Sequence, residues 1–425
     1  MSRHISFALV ICCSLAGCNR APPTPVSRTT DPAGTTAAAT TTGDSSPIAN
    51  LIVAAPIRHG NLTIFPVLSR IPRTDDRFIT LAEGLKGGTV EIRELGANPG
   101  VGRGARGPNP LADNQDEPIR QTDATDGDEQ NDPDGDDLLD GVNDVNRLVV
   151  INRSGRPLYL MPGEVIVGGS QDRSIAEEMV IESSDKPVTI SVYCVEPGRW
   201  GTWDSETATA LLSDEGIQSD SPVDLAAKAD RGSFVAHPGI LSKSSRLAVQ
   251  EKAGQSKVWD EVAKANDASG VNWASGAFTA NYVDKQVLTR LQPYLDSLTE
   301  PVAGQAQVVG AIVAINGRIE NVDVFESTPL FRKLWPQLLK SFALNALESA
   351  DSAEASKAGT RSEAEAFLAS TLKDQGEGVK KTEGGLVVSH HDASDHVSFS
   401  AGMMGGMGGY AGGFGGAIHS SGYSK

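Results

Sequence analysis

The chain has 425 residues, of which 39% are hydrophobic and 5% aromatic, and its formal net charge at pH 7 is −17. This length allows two or three domains, and the low aromatic content indicates that polar segments dilute the globular part. Nucleic acid is bound by clustered lysines and arginines, so we expect no nucleic-acid partner for a chain this acidic.

The N-terminus has the pattern of a bacterial lipoprotein signal. A basic residue, Arg3, precedes an apolar run over residues 5–13, which is too short to span a bilayer permanently. The sequence that follows, Leu15-Ala16-Gly17-Cys18, resembles a lipobox. The resemblance implies that residues 1–17 are a signal peptide, that Cys18 is lipidated, and that the mature protein is held at a membrane of the cell envelope, outside the cytoplasm. The alternative is an ordinary cleaved signal with an incidental cysteine.

Cys194 is the one thiol that would remain in the mature protein, since the two signal-peptide cysteines are removed and Cys18 carries lipid. We therefore expect no internal disulfide. Strict alternation over residues 188–194 places Cys194 on the core face of a strand, where a thiol is an inert small hydrophobe. The alternative role, a nucleophile, requires a nearby base such as His237 or His390.

The segment after the signal is predicted to be a flexible tether. Residues 18–47 are rich in Ala, Thr, Pro and Ser and have too little apolar bulk to offset the entropy of ordering. A folded domain is expected over residues 48–400, interrupted by an acidic insert at 96–145. Before the insert, apolar runs and turn signals predict strands over 51–56, 62–68 and 89–94 and a short helix over 80–86.

The insert at residues 96–145 carries 13 acidic residues against 3 arginines. Within it, carboxylates recur at alternate positions, so that their oxygens can converge on one hard cation together with a backbone carbonyl. The spacing resembles the calcium loops of thrombospondin type 3 repeats, and this resemblance implies bound calcium. The implied ligands, at loop positions 1, 3, 5, 7 and 9, are Asp132, Asp134, Asp136, the Leu138 carbonyl and Asp140.

Two positions of this loop depart from the calcium pattern. Position 6 is Asp137 rather than the glycine that makes the sharp turn, and position 12 is Asn143 rather than a bidentate glutamate. Both departures predict weak affinity for calcium. The alternative interpretation is a solvated acidic loop without a bound cation.

The stretch from Asn146 to Trp200 carries the most specific chemistry in the sequence. Apolar runs predict strands over 148–151 and 158–161, followed by a Pro162-Gly163 turn and a second strand pair that ends near Cys194. Glutamate and arginine resist burial unless they are paired, so those at the strand ends predict either a binding cleft or an ion-pair network that locks this part of the fold. The candidate binding residues are Glu164, Gln171, Arg173, Glu196 and Arg199.

The second half of the chain alternates helices with one clear hairpin. An Asn316-Gly317 turn joins apolar strands over Gln307–Ile315 and Arg318–Phe325. Helices are predicted over 257–265, 282–298, about 327–350 and 362–372, and a strand pair over 385–389 and 396–399. From Gly402 onward, 10 of 24 residues are glycine, so the tail at residues 401–425 is predicted to be disordered.

Two segments together resemble one bacterial domain family. The first runs from Val149 through Gln171-Asp172-Arg173 to Glu196-Pro197-Gly198-Arg199-Trp200, and the second from Val258-Trp259 through the hairpin to Leu334-Trp335. Both are similar to the ARG and rhodanese-phosphatase-superfamily-associated protein domain, a family of unknown function, over about residues 51–399. The family's name records association with ADP-ribosylglycohydrolase and phosphatase genes, which describes gene context and not activity.

The predicted architecture is α+β, with a β-rich first part over residues 48–200 and a mixed second part over 257–399 in which the hairpin packs on two or more helices. Two functions remain open. The first is a lipid-anchored binding or interaction module at the cell envelope, since no catalytic motif is present. The alternative is a hydrolase that acts on a nucleotide- or ribose-like substrate through the glutamates and arginines of the central stretch. Whether these residues line an open cleft or are buried against one another distinguishes the two.

Overall fold

The computed structural model describes residues 47–95, 146–199, 232–350, 358–373, 380–381, 386–403 and 417–425. The signal peptide, Cys18 and most of the tether lie outside these ranges, and so does the acidic insert with Asp132, Asp134, Asp136, Leu138 and Asp140. Within them the protein has the predicted α+β fold, with one large sheet, one small sheet and a closed barrel. No helix in the described ranges is both long and apolar enough to cross a membrane.

The large sheet has nine strands, all paired in the antiparallel sense, and it collects strands from both halves of the chain. Strand β2 (Ile57–His59) pairs with β3, beside β1. In spatial order the other strands are β1 (Leu51–Val53), β3 (Leu62–Ser69), β13 (Val308–Ile315), β14 (Arg318–Phe325), β18 (Ala417–Ser424), β17 (His396–Met403), β16 (Leu386–Asp392) and β15 (Lys380–Lys381).

The predicted hairpin forms the middle of this sheet. Ile315 pairs with Arg318, and both turn residues have positive φ, +53° at Asn316 and +80° at Gly317. Such a turn suits a two-residue hairpin because its twist matches that of the flanking strands, and asparagine and glycine tolerate this conformation best. The prediction of this hairpin is confirmed.

Helices cover both faces of the large sheet. Helices α4 (Lys285–Ala303) and α5 (Thr328–Glu348) pack on one face, and α6 (Arg361–Lys373) packs on the other. Alternate residues of β13 therefore pack into the hydrophobic cores on opposite faces of the sheet. Val313 packs with α4 and α5, and Ala314 packs with α6. This two-sided burial explains the nearly continuous apolar run of β13, and it confirms that the hairpin packs on more than one helix.

Besides the large sheet, the fold contains a closed barrel and a small three-stranded sheet. The small sheet packs against the barrel in one hydrophobic core. The barrel core is apolar, with Val150, Ile166 and Ile190 almost fully buried. In closure order the barrel strands are β11 (Ser184–Cys194), β6 (Arg147–Asn152), β5 (Val90–Glu94), β12 (Ser233–Ile240), β8 (Glu164–Gly168) and β9 (Arg173–Ile175). The small sheet contains β10 (Met179–Ile181), β7 (Leu158–Leu160) and β4 (Ile79–Thr80).

Three further helices complete the fold. Thr80 and Glu83 form a capping box at the start of the short helix α1, since the side chain of each accepts a hydrogen bond from the backbone N–H of the other. Helices α2 and α3 follow β12 and pack against each other and against α5. Their ranges are α1 (Leu81–Lys86), α2 (Lys243–Gln250) and α3 (Gln255–Ser269), and 3₁₀ turns occupy Pro47–Asn50 and Phe278–Tyr282.

The prediction that the tail at residues 401–425 is disordered is wrong for its last part. Residues Ala417–Ser424 form β18, which pairs with β14 on one side and β17 on the other. Glycine content misled the prediction, because Gly422 serves close packing here. A Cβ atom at Gly422 would lie 2.4 Å from the Thr371 hydroxyl, so only glycine lets α6 approach this strand.

Cys194 is buried at the end of β11, as predicted. Burial raises the pKa of its thiol, although the nearby charge of Arg173 acts in the opposite direction. The side chain of Gln255 completes the strand edge here: its Oε1 accepts from the Cys194 N–H at 2.9 Å, and its Nε2 donates to the Cys194 carbonyl at 2.8 Å. A buried thiol with a raised pKa is a packing residue rather than a nucleophile.

Candidate functional site

The five polar residues predicted from the sequence occupy two separate places. Four of them, Gln171, Arg173, Glu196 and Arg199, meet at one end of the barrel, where β9 begins and β11 ends. The fifth, Glu164, begins β8 and faces His237 of β12. Asp172, which the sequence analysis did not single out, joins the first group, and we call these five residues (Gln171, Asp172, Arg173, Glu196 and Arg199) the arginine–acid cluster.

Arg199 is the centre of the arginine–acid cluster. Its Nε donates to Glu196 Oε2 at 2.6 Å, and its Nη2 donates to Asp172 Oδ1 at 2.9 Å. Its Nη1 donates to the carbonyl oxygen of Gly169 at 2.9 Å. The guanidinium therefore bridges two carboxylates and the turn after β8. Its side chain is only 10% exposed, so these contacts are made largely out of water.

The other members of the arginine–acid cluster are hydrogen-bonded to one another. Gln171 donates from Nε2 to the Glu196 carbonyl at 3.1 Å and accepts at Oε1 from Arg173 Nη1 at 3.0 Å. The backbone N–H of Asp172 donates to Glu196 Oε2 at 3.1 Å, and the hydroxyl of Thr279 donates to Asp172 Oδ2 at 2.8 Å. Gln171, Asp172, Arg173 and Glu196 are all buried. Their polar atoms are directed at one another.

Burial also sets the protonation of the two carboxyls that share Arg199. It raises the pKa of Glu196 to about 7, and the neighbouring charge of Asp172 acts in the same direction. Burial raises the pKa of Asp172 as well, against the charge of Arg199. A carboxyl that titrates near neutrality is suited to acid–base work, but here both carboxyls are buried and contact Arg199 and backbone amides.

The pair formed by Glu164 and His237 is incompletely satisfied. Glu164 Oε2 accepts from the backbone N–H of Met161 at 2.7 Å, while its Oε1 lies 3.3 Å from His237 Nε2 without the direction of a hydrogen bond. Among the residues that the structure describes, neither ring nitrogen of His237 has a hydrogen-bond partner. Burial raises the pKa of Glu164 to about 8 and lowers that of His237 to about 3, so both side chains are uncharged at neutral pH.

A third set of buried polar residues was not predicted from the sequence. Arg246 of α2 forms a two-pronged ion pair with Asp323 of β14, with Nη2 to Oδ1 at 2.8 Å and Nη1 to Oδ2 at 3.1 Å. The Tyr159 hydroxyl of β7 donates to Glu178, which lies just before β10. His419 of β18 joins the two pairs. We call these five residues (Tyr159, Glu178, Arg246, Asp323 and His419) the buried charge network.

His419 is held between two carboxylates. Its Nε2 lies 3.0 Å from Asp323 Oδ1, and its Nδ1 lies 3.2 Å from both oxygens of Glu178. A neutral imidazole has one N–H, so only the imidazolium donates to both partners. Burial lowers the pKa of His419, but the charge of Glu178 and the hydrogen bonds that the ring donates to both carboxylates outweigh it and raise that pKa. The ring also stacks on Phe325, with centroids 4.4 Å apart.

The Pro162-Gly163 turn explains how Arg246 reaches this network. Arg246 Nε donates to the carbonyl of Pro162 at 3.3 Å, and a Cβ atom at Gly163 would lie 2.7 Å from Arg246 Cγ. Gly163 has φ of +89°, so the turn requires glycine for its backbone as well as for the passing side chain. The Pro162-Gly163 turn, which the sequence predicts, therefore holds the side chain of Arg246, which the sequence does not single out.

The sequence held one signal for the buried charge network. Asp323 stands between Val322 and Val324 in an apolar strand, and a carboxylate in such a run must be paired when it is buried. Its partners Arg246 and His419 are distant in sequence and lack any motif of their own. Within the described ranges, no group of three or more His, Cys, Asp or Glu residues is arranged to hold a metal ion.

Replacing Glu164 by glutamine should change how stability depends on pH. Because the pKa of Glu164 is about 8 in the folded protein and near 4.5 in the unfolded chain, the folded state holds its proton more tightly. The contribution of Glu164 to the free energy of unfolding therefore falls as pH rises from about 5 to 8. Glu164→Gln cannot ionise, so its stability relative to the natural protein should rise by a few kcal/mol over that range.

Urea unfolding at pH 5, 6, 7 and 8 measures this difference. The exposed Glu300→Gln is the matched control, and its stability should follow the natural profile at every pH. A Glu164→Gln profile parallel to the natural one would show that Glu164 is not protonated in the fold.

Removing one partner of the Arg246–Asp323 pair should lower the free energy of unfolding strongly. Asp323→Asn keeps the shape but leaves the Arg246 guanidinium buried without its opposite charge, so the free energy of unfolding should fall by about 3–5 kcal/mol. The double variant Arg246→Met, Asp323→Leu removes both charges and should lose less than Asp323→Asn alone.

Glu365→Gln provides the matched control, because it removes the acidic partner of Arg361 from an exposed ion pair with an N–O distance of 2.8 Å. Its cost should be below about 1 kcal/mol. Equal costs for Asp323→Asn and Glu365→Gln in chemical denaturation would contradict a buried charge network that supports the fold.

Comparison with known proteins identifies a family. Residues 50–404 match the family described as the ARG and Rhodanese-Phosphatase-superfamily-associated Protein domain. No curated protein and no solved structure matches the chain. The matched span includes the whole arginine–acid cluster and all of the buried charge network except His419. It also agrees with the resemblance noted over about residues 51–399, and the chain therefore belongs to the ARG and Rhodanese-Phosphatase-superfamily-associated Protein domain family.

Proposed function

We propose that this protein is a lipid-anchored interaction module of the cell envelope and not a hydrolase. The observation that carries the proposal is the mutual burial of the arginine–acid cluster. Arg199 is bound by Glu196, Asp172 and a backbone carbonyl, and Gln171 is bound at both ends of its amide. A buried, mutually bonded set of charges holds strands together.

Hydrolysis would require these groups to face a substrate. A general acid and a general base must each come within hydrogen-bond distance of the reacting atoms. Glu196 and Asp172 are instead directed at Arg199, and the carboxylates of the buried charge network are directed at Arg246 and His419. The carboxyls of these two clusters thus contact partners within the protein.

Glu196→Gln tests the structural role of the arginine–acid cluster. The variant removes one of the two charges that compensate Arg199, so the free energy of unfolding should fall by about 1–3 kcal/mol. Calorimetric titration of the natural protein with ADP-ribose and with nucleotides should give no saturable heat. Saturable binding of ADP-ribose that Glu196→Gln abolishes, in a variant that remains folded, would favour the hydrolase. Glu300→Gln is again the control.

The membrane partner follows from the N-terminal sequence. We propose that residues 1–17 are removed as a signal peptide and that a lipid on Cys18 holds the protein at the envelope, with residues 18–47 as a tether. The first described element begins at Pro47, where this proposed tether ends. A lipid chain, a spacer and a folded unit form a consistent order along the chain.

Mass spectrometry of the protein purified from membranes tests this anchor. The N-terminal peptide should begin at Cys18 and carry two or three acyl chains. Cys18→Ala should release the protein from the membrane fraction, while the control Ser14→Ala should leave it there. An unmodified N-terminus at another residue would contradict the anchor.

We also propose that the acidic insert binds calcium through the ligands Asp132, Asp134, Asp136, Leu138 and Asp140. Alternate carboxylates repel one another when no cation is present, and calcium would relieve that repulsion. Because the loop has Asp137 at position 6 and Asn143 at position 12, its affinity should be weak.

Calorimetric titration of the mature protein with calcium tests this site. We expect a dissociation constant of roughly 10⁻⁴ to 10⁻³ M, as in extracellular calcium modules. Asp134→Asn combined with Asp136→Asn should abolish the heat. Equal binding by this double variant, or no heat at several millimolar calcium, would leave the insert as an acidic linker.

A further inference from the structure

The folded part of the chain begins at one end of the large sheet. Strands β3, β14 and β17 run in the same direction, because each is separated from the next by one antiparallel strand. Ser69, Phe325 and Met403 therefore end their strands at the same side. Leu51 pairs with Ser69, so the chain also enters the sheet there. We call this side the entry end; the Asn316-Gly317 turn lies at the opposite end.

The exposed apolar side chains lie at the entry end. In the part of the chain that the structure describes, the large hydrophobic residues exposed to solvent are Ile71 (55%) and Met403 (40%). Ile71 lies two residues after the end of β3, and Met403 ends β17. Arg77, six residues after Ile71 in the chain, contacts Met403, with its Nη2 2.8 Å from Met403 Sδ. Single exposed hydrophobes are ordinary, but their restriction to one end of one sheet needs an explanation.

Basic residues surround these apolar side chains. The segment from Arg70 to Arg77 carries three arginines and two aspartates, in a chain whose net charge is −17. Each aspartate has a cationic partner, Arg73 for Asp75 at 3.1 Å and Lys333 for Asp76 at 2.6 Å. Arg73 also pairs with Glu326 at 3.2 Å, so the positive charge that the segment presents beside the exposed isoleucine comes from Arg70 and Arg77, which have no ion pair within the described ranges. This combination of basic and apolar side chains suits contact with a lipid bilayer, which has an apolar interior and anionic headgroups at its surface.

The chain enters the fold at this same end. Arg70 donates from its backbone N–H to the Asn50 carbonyl at 2.7 Å. Asn50 ends the first described turn, Pro47–Asn50, so Ile71 is the chain neighbour of a residue that is bonded to this turn. Residues 18–46 of the proposed tether would span roughly 30 Å if they form a flexible coil. An anchor on Cys18 would hold the entry end within that distance of the membrane, with the opposite end farther away.

We propose that the entry end is a membrane-contact surface. In this arrangement Ile71 enters the boundary between lipid headgroups and acyl chains, Met403 lies against the headgroups, and Arg70 and Arg77 bind lipid phosphates. Apolar burial and attraction to anionic headgroups both favour this orientation. The proposal deepens the proposed function and rests on it for the anchor, but the contact can be tested without lipidation.

The test places one fluorophore at each end of the sheet. The full mature chain carries Cys18→Ser and an N-terminal hexahistidine tag, and nickel-chelating lipid holds it on phosphatidylglycerol–phosphatidylethanolamine vesicles. Ile71→Cys then supplies an exposed thiol for an environment-sensitive fluorophore, while Cys194 stays buried. Arg318→Cys is the matched control, since Arg318 is 74% exposed beside the hairpin turn at the opposite end.

Vesicles that contain headgroup-labelled nitroxide lipid report proximity. The fluorophore at position 71 should be quenched several-fold more than the one at position 318, and only its emission should shift to shorter wavelength. Adding Arg70→Glu to Ile71→Cys should reduce that quenching, whereas a remote charge reversal, Arg361→Glu, should not. Equal quenching at positions 71 and 318 would overturn the contact surface. An unlipidated Cys18 in the natural protein would overturn the anchor alone and leave this result standing.

Discussion

The fold depends on the ion pair between Arg246 and Asp323. Both side chains are buried, so each charge has lost its hydration, and the two-pronged geometry is what offsets that loss. The pair lowers the pKa of Asp323 and raises that of Arg246, each against the effect of burial. His419 and Glu178 extend it, so that one network joins α2, the small sheet and two central strands of the large sheet. Parts of the chain that are far apart in sequence are thereby held in one arrangement.

The buried polar residues bear on how the parts of the fold are held together. Each cluster has a complement of carboxylates and cations that resembles a catalytic set by composition. Their hydrogen bonds, however, run between members of the cluster and to neighbouring groups of the protein, such as the Thr279 hydroxyl and the Pro162 carbonyl. The Glu164–His237 pair differs, since three of its polar atoms have no hydrogen-bond partner among the described residues. There burial has the largest effect on the pKa of each group, and both stay uncharged at neutral pH. Such polar cores specify how strands and helices fit together more than they add stability.

Family membership and local geometry give complementary information. The match over residues 50–404 includes the barrel, the small sheet and most of the large sheet, but it ends before β18. That last strand supplies His419, which completes the buried charge network. Strand β18, which lies beyond the matched span, is therefore as much a part of the core as β14 and β17 on either side of it.

Local pattern alone determined the α+β class, the Asn316-Gly317 hairpin with its apolar first strand, and the burial of Cys194. These features depend on turn chemistry and on the spacing of apolar residues, which a sequence displays directly. It also identified four residues that meet in the arginine–acid cluster, because charged residues at strand ends must find partners. Only the tertiary structure decided that the barrel closes, that β18 lies between β14 and β17, and that Glu164 faces His237 instead of Arg199. Each of these is a long-range pairing between side chains or strands, and such pairings are selected by the free energy of burying groups together, which no short stretch of sequence encodes.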